Sequence, residues 1–116
     1  MEYPIAELVD RVAIFAVKAE NGLSTEPQRD LLLKEVPVLE LKKYLELMKI
    51  HRAIWNMEEM ITVQYSKNDF SIAGKIYKEI REFNIQRSEI KNSIALRYNG
   101  FQDIKNFRQK DLLIKT

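Results

Sequence analysis

Apolar side chains recur at intervals of three and four residues through most of the first hundred positions of this 116-residue chain. Such spacing is typical of α-helices with one inward face, whereas a half-buried strand needs strict alternation. Only three glycines and three prolines occur, too few for the many turns of an all-β fold. We therefore predict an all-α protein, an antiparallel bundle of three long helices plus one short helix, with a C-terminal tail.

Start and stop signals set the bounds of the first two predicted helices. The first helix begins near Pro4, because proline is tolerated in a first helical turn, and it stops at Asn21-Gly22. Thr25 and Gln28 fit a capping box that opens a short second helix. Pro37 ends this helix, because its ring opposes continuation of the preceding turn.

Two longer helices are predicted to follow. From about Val38 a wide apolar arc continues for nearly thirty residues, which favours a central helix that contacts more than one neighbour. The polar stretch 66–69 interrupts the pattern, and Asp69 or Ser71 is suited to cap the next helix. Asn99-Gly100 is a strong signal for the end of that last helix.

The chain divides into a helical bundle at residues 1–100 and a basic, apolar tail at residues 101–116. The tail accounts for the net charge of +2, which leaves the bundle neutral. Dedicated nucleic-acid binders concentrate more positive charge on one face, so the sequence argues against that class. We expect the apolar residues of the tail to contact the bundle or a partner, and weak nucleic-acid contact through the tail is a lesser alternative.

Several classes of site are excluded by composition. The chain has no cysteine, which rules out disulfides, thiolate metal sites and cysteine nucleophiles. His51 is the single histidine, so one chain cannot build a histidine-rich zinc or di-iron site, and we expect no metal or cofactor. No basic segment precedes an apolar run at the amino terminus, and no stretch approaches the length of a membrane span. A soluble cytoplasmic protein without a membrane partner is expected.

Charged residues fall inside the apolar arcs when the long helices are projected at 100° per residue. Arg87 lies among the inward isoleucines of the last helix, with Asn84 and Lys91 at the margin of that face. Glu58 falls between two apolar rows of the central helix, and His51 lies two turns earlier on the same line. Burying one charge alone costs several kcal/mol even after relaxation. We therefore predict that Glu58 pairs with Arg87.

The first helix adds a charged stripe to these inward groups, and Trp55 lies beside them on the central helix. Together they form a candidate polar site of ten residues: Glu7, Asp10, Arg11, Lys18, His51, Trp55, Glu58, Asn84, Arg87 and Lys91. One interpretation is a structural network that fixes helix register. The other is a binding or catalytic site, in which Glu58 serves as general base or anchor and Arg87 and Lys91 bind an anionic group.

Three segments of the chain resemble a family of small uncharacterised all-helical proteins of bacteria and phages. These segments are Glu7-Leu8-Val9-Asp10-Arg11 with Lys18, His51 to Glu59 with its Trp55-x-x-Glu58-Glu59 core, and Asn84-x-x-Arg87-x-x-x-Lys91. The chain departs from the family pattern at His51, Glu59, Ile85 and Gln86. The resemblance spans roughly residues 4–98 and implies an all-helical fold with retained polar positions. It implies no reaction.

The sequence contains no nucleophile, metal or phosphate-loop motif, which favours a non-enzymatic protein over an enzyme without deciding the matter. The leading hypothesis is an interaction or assembly module that binds a protein partner or itself and contains an internal polar network. The alternative is a binding site or small enzyme for an anionic small molecule inside the bundle, in the manner of helical mutases that hold dianions with basic side chains. The basic residues that motivate it are Arg11, Lys18, Arg87 and Lys91.

Overall fold

The computed structural model describes residues 3–98, which fold into four α-helices and contain no strand. The helices are α1 (Ile5–Glu20), α2 (Glu26–Leu33), α3 (Leu41–Ser66) and α4 (Phe70–Arg97), and a short 3-10 turn (Val38–Glu40) leads into α3. The prediction of an all-α protein is confirmed. The predicted stop at Asn99-Gly100 and the tail, residues 101–116, lie outside the described residues.

The turn after α1 is closed by backbone hydrogen bonds that require a glycine. Leu23 N–H donates to the Lys18 carbonyl and Gly22 N–H donates to that of Ala19, the pattern of a Schellman cap. Gly22 has a φ of +88°, which side chains with a Cβ adopt only under strain. Asn21 reinforces the turn, because its side-chain amide donates to the Val17 carbonyl at 2.8 Å.

The two predicted helix caps have different outcomes. Asp69 caps α4, since its Oδ1 accepts from the Ile72 N–H at 3.2 Å. The capping box at Thr25 is wrong, because the Thr25 side chain makes no cap hydrogen bond. Its hydroxyl donates instead to the Phe15 carbonyl at 2.7 Å. The side chain therefore ties the start of α2 to α1 rather than closing its own helix.

One hydrophobic core joins α1 to the first half of α3 and the last part of α4. The side chains that are at least 98% buried there include Val9, Val12, Leu47 and Ile94. Full burial of an aliphatic side chain of this size contributes about 1.5–3 kcal/mol. Small residues such as Ala13 on the buried face of α1 allow its backbone to lie close to the other helices.

α1 covers only part of the two long helices. α3 and α4 have 26 and 28 residues, whereas α1 has 16. At 1.5 Å per residue, α3 and α4 are about 40 Å long and α1 is about 24 Å long. The core around α1 involves residues 44–55 of α3, residues 90–95 of α4 and Tyr98 just after α4. The end at which residues 67–69 join α3 to α4, called here the connected end, therefore extends beyond α1.

Between residues 3 and 98, no helix combines the length and the apolar character that a membrane span requires.

Candidate functional site

Asp10 lies near the middle of α1 with its side chain completely buried. Ala6 precedes it by four residues and Ala13 follows it by three, so all three share one face of the helix. Ala6 and Ala13 are also buried, which shows that this face packs against the other helices. Helical periodicity therefore carries the Asp10 carboxylate into the core.

Arg87 of α4 is the main partner of this carboxylate. Its Nη2 donates to Asp10 Oδ2 at 2.7 Å, and its Nε lies 3.1 Å from Oδ1 and 3.2 Å from Oδ2. The planar guanidinium thus donates hydrogen bonds to both carboxylate oxygens, a bidentate arrangement that a lysine cannot reproduce. The predicted pairing of Glu58 with Arg87 is wrong. Glu58 is exposed on α3, beyond the part that α1 covers, where a carboxylate stays hydrated without a partner.

His51 and Lys91 complete the surroundings of Asp10. His51 Nε2 lies 2.8 Å from Asp10 Oδ1, and it must carry the proton because an ionised carboxylate only accepts. Lys91 Nζ lies 3.6 Å from Asp10 Oδ2 and donates to Glu7 Oε2 at 2.8 Å. Arg11 Nε lies 3.3 Å from Glu7 Oε1. These six residues are called here the Asp10 network: Glu7, Asp10, Arg11, His51, Arg87 and Lys91.

The network keeps Asp10 ionised. Burial alone would raise the pKa of the Asp10 carboxyl, but this effect is outweighed by hydrogen bonds from His51 and Arg87 and by the charges of Arg87 and Lys91. The pKa of Asp10 is therefore well below its ordinary value. The hydrogen bond to Asp10 in turn raises the pKa of Arg87. A group with so low a pKa has little affinity for a proton, which makes Asp10 a poor general base near neutral pH.

The other four residues of the candidate polar site lie outside this network. Glu58 and Asn84 are exposed, and Lys18 is half-buried near the end of α1. Trp55 is partly buried against the core, and its Nε1 donates to Glu59 Oε1 at 2.8 Å. The structure thus brings together six of the ten predicted residues, drawn from α1, α3 and α4.

A second buried acid, Glu40, was not identified from the sequence. Its side chain is 0% exposed, and Arg97 Nε lies 3.2 Å from its Oε2. Neither carboxylate oxygen of Glu40 has a hydrogen-bond partner within residues 3–98. Glu40 lies four residues before Tyr44 and seven before Leu47, and this helical spacing could have identified it from the sequence. Both of these residues are buried, so Glu40 continues their face into the turn before α3.

Three aromatic side chains are exposed at the connected end. Tyr65, Phe70 and Tyr77 are 46%, 58% and 53% exposed, and they are called here the aromatic surface. The rings of Tyr65 and Phe70 contact each other with centroids 5.4 Å apart. Phe70 and Tyr77 are seven residues apart, so they share one face of α4. Gly74 lies between them, and a Cβ added there would meet no atom within 4 Å.

Within residues 3–98, no three histidine, aspartate or glutamate side chains lie close enough together to hold a metal ion. Comparison of the chain with protein-family models, with curated proteins and with solved structures finds no match.

Proposed function

We propose that this chain is a non-enzymatic helical protein that self-associates, an assembly module in which the Asp10 network has a structural role. In this proposal the three long helices and the short one form an antiparallel bundle. The observation that carries the structural role is the complete internal use of the Asp10 carboxylate. It is 0% exposed and is surrounded by three basic side chains from α3 and α4.

The chemistry of the network supports structure over catalysis. A general base needs a pKa near the working pH, whereas the pKa of Asp10 is held far below it. Three of the four groups around Asp10 and Glu7 come from helices other than α1. Because the bidentate contact to Arg87 is directional, it fixes how α1 sits on α4. Such a network serves to define one arrangement of the helices.

The aromatic surface supports the self-association. Tyrosine and phenylalanine are enriched in the buried centres of protein interfaces, where rigid rings cover much area at small entropic cost. Here three such rings lie at the connected end, away from the core around α1. The Asp10 network anchors α1 at the other part of the α3–α4 pair, so it leaves this end accessible.

Sedimentation velocity of the 116-residue chain, from micromolar to millimolar concentration, tests the proposal. We expect a reversible monomer–dimer equilibrium, and we expect the Phe70→Ser and Tyr77→Ser substitutions to weaken it. Val38→Ser is the matched control, because Val38 is an apolar residue that is 81% exposed but lies before α3. Sedimentation as a monomer at every concentration would contradict the proposal. Equal weakening by Val38→Ser would place the contact elsewhere.

A second candidate function is the binding of an anionic small molecule at the Asp10 network. It is favoured by the exposure of two cations, since the side chains of Arg87 and Lys91 are 32% and 19% exposed while they contact Asp10. Titration with inorganic phosphate, followed by NMR of the Arg87 Nε–H, tests this candidate. A saturable shift that Lys91→Gln abolishes would support a binding site. A small linear shift that the exposed Arg81 shows equally would contradict a binding site, and only the structural role would remain.

A further inference from the structure

We propose that the tail, residues 101–116, binds an apolar surface of its own chain at the start of α3. This inference goes beyond the proposed self-association and does not depend on it. Four aliphatic residues form the surface, which is called here the turn surface: Val38, Leu39, Leu41 and Leu45. Three observations carry the inference: the exposure of these side chains, the position of the end of α4 beside them, and the apolar residues that follow in the tail.

The turn surface exposes several large aliphatic side chains together. Val38 and Leu39 are 81% and 74% exposed, and Leu45 is 59% exposed. Leu41 lies three residues after Val38 and four before Leu45, so these three side chains share one side of α3 and of the turn that leads into it. Single exposed aliphatic residues are common, but a contiguous group of them marks a contact surface.

α4 ends beside the turn surface. Arg97 Nε lies 3.2 Å from Oε2 of Glu40, the residue between Leu39 and Leu41. Burial and the nearby Glu40 carboxylate raise the pKa of Tyr98, whose side chain thus lies at the same turn. The chain therefore leaves α4 next to the turn surface.

Glu40, at the centre of this turn, has a buried carboxylate whose hydrogen bonds are incomplete. Its side chain is 0% exposed, and neither oxygen accepts a hydrogen bond from residues 3–98. Buried carboxylate oxygens without donors are rare, because they give up hydration without compensation. A tail that binds over the turn brings further N–H groups to this carboxylate, which supports a contact at this place.

The tail is favoured as the occupant because it is attached where the surface lies. A chain spans at most about 3.6 Å per residue, so Phe101 stays within about 11 Å of Tyr98 in any conformation, and Ile104 within about 22 Å. Both apolar residues can therefore reach the turn surface while the helices stay intact. A short tether gives an effective concentration in the millimolar range. A second copy or a separate partner would have to exceed that concentration to displace the tail.

Apolar contact, rather than charge, is the driving force that these residues offer. Lys42 and Lys49 are exposed at the edge of the turn surface, and the tail has four basic and two acidic residues. The net charges on the two sides have the same sign, so they oppose the contact weakly. Salt screens such repulsion. We therefore expect the contact to persist at high salt.

Single-cysteine variants of the full chain test this contact, because the chain has no cysteine of its own. Leu39→Cys places a thiol on the turn surface, and its rate of reaction with the neutral reagent N-ethylmaleimide measures its accessibility. We expect Phe101→Ser to raise that rate by about tenfold, since the loss of one partly buried ring weakens a contact by about this factor.

Met60→Cys is the matched control for the thiol reaction. Met60 is also apolar and 51% exposed, but it lies about 30 Å further along α3, beyond the reach of Phe101. Its rate is expected to be the same with and without Phe101→Ser, which also shows that the substitution leaves the helices folded. A Leu39→Cys rate that Phe101→Ser leaves unchanged would overturn the inference.

NMR distinguishes the tail of the same chain from that of a second copy. We expect nuclear Overhauser effects between the Phe101 ring and the Leu39 methyl groups, and we expect them to persist at high salt. In a mixture of labelled and unlabelled chains, an isotope-filtered spectrum should lack them, because both groups belong to one molecule. Their complete absence, their loss at high salt or their appearance only between molecules would overturn the inference. None of these results depends on whether the chain dimerises through the aromatic surface.

Discussion

Asparagine at position 10 would keep the shape of the side chain and remove the charge at the centre of the Asp10 network. Removal of one partner from a buried ion pair costs about 3–5 kcal/mol, because the remaining charge is uncompensated. Here Arg87 and Lys91 are 32% and 19% exposed, so both can regain water, and Lys91 keeps its contact with Glu7. We therefore expect Asp10→Asn to lower the free energy of unfolding by about 3 kcal/mol, the lower end of that range.

Urea and thermal unfolding, followed by far-UV circular dichroism, measure this change. A loss of about 3 kcal/mol lowers the Tm of a domain of this size by roughly 12–24 °C. Glu20→Gln is the matched control. Glu20 also holds an arginine in a bidentate contact, with Arg52 donating at 2.7 and 2.6 Å, but both side chains are more than 40% exposed. An exposed pair contributes less than about 1 kcal/mol, so the control is expected to change little.

Two results would refute the argument for Asp10. One is a change below about 1 kcal/mol for Asp10→Asn, which is the size of a surface effect. The other is additivity in a double-mutant cycle. Arg87→Met should cost much less in the Asp10→Asn background than in the unmodified chain, because the two side chains contact each other directly. Equal costs in both backgrounds would mean that they act independently.

Three further predictions concern pH, Gly74 and Glu40. Because the pKa of Asp10 is lower in the folded than in the unfolded chain, its stabilisation is complete above about pH 4, the ordinary aspartate value, and is lost as pH falls below it. Unfolding free energies across pH 5 to 2 should therefore fall more steeply for the unmodified chain than for Asp10→Asn; parallel curves would contradict this. Gly74→Ala should raise the unfolding free energy at low protein concentration by about 0.5–1 kcal/mol, because the added Cβ meets no atom of residues 3–98 within 4 Å; an unfolding free energy below that of the unmodified chain would contradict this. Glu40→Gln should change the unfolding free energy by less than about 1 kcal/mol, since the carboxylate makes no hydrogen bond within residues 3–98 and Arg97 is 47% exposed. A loss of unfolding free energy as large as that of Asp10→Asn would contradict this.

The helices of residues 3–98 were predictable because their signals are local. The stop at Gly22 and the cap at Asp69 depend on backbone geometry within one turn, and the structure has both. The cap predicted at Thr25 does not form, because its hydroxyl donates a hydrogen bond to a carbonyl of α1 instead of to its own helix. Local sequence signals therefore predict where helices end more reliably than they predict which hydrogen bonds cap each end.

The candidate site was predictable only in part, because projection gives the direction of a side chain around its own helix. The projection correctly predicted that Arg87 faces inward, but it contains no information on which helix lies opposite or how far that helix extends. α1 covers α3 only as far as about Trp55, so Glu58 one turn later is exposed. The acid that meets Arg87 is Asp10, whose burial follows from its small neighbours on α1 rather than from its own polarity.

Sedimentation equilibrium of the unmodified chain and of Phe70→Ser gives the dimer dissociation constants that decide whether the chain self-associates through the aromatic surface. We expect a measurable dissociation constant for the unmodified chain, and a constant raised about tenfold or more when one aromatic ring is removed from each copy. The Asp10→Asn variant, kept below its unfolding temperature, should dimerise like the unmodified chain, because the Asp10 network lies where α1 covers α3 and α4, apart from the aromatic surface. A monomer at every concentration, or a dimer that Phe70→Ser leaves unchanged while Asp10→Asn abolishes it, would contradict self-association through the aromatic surface.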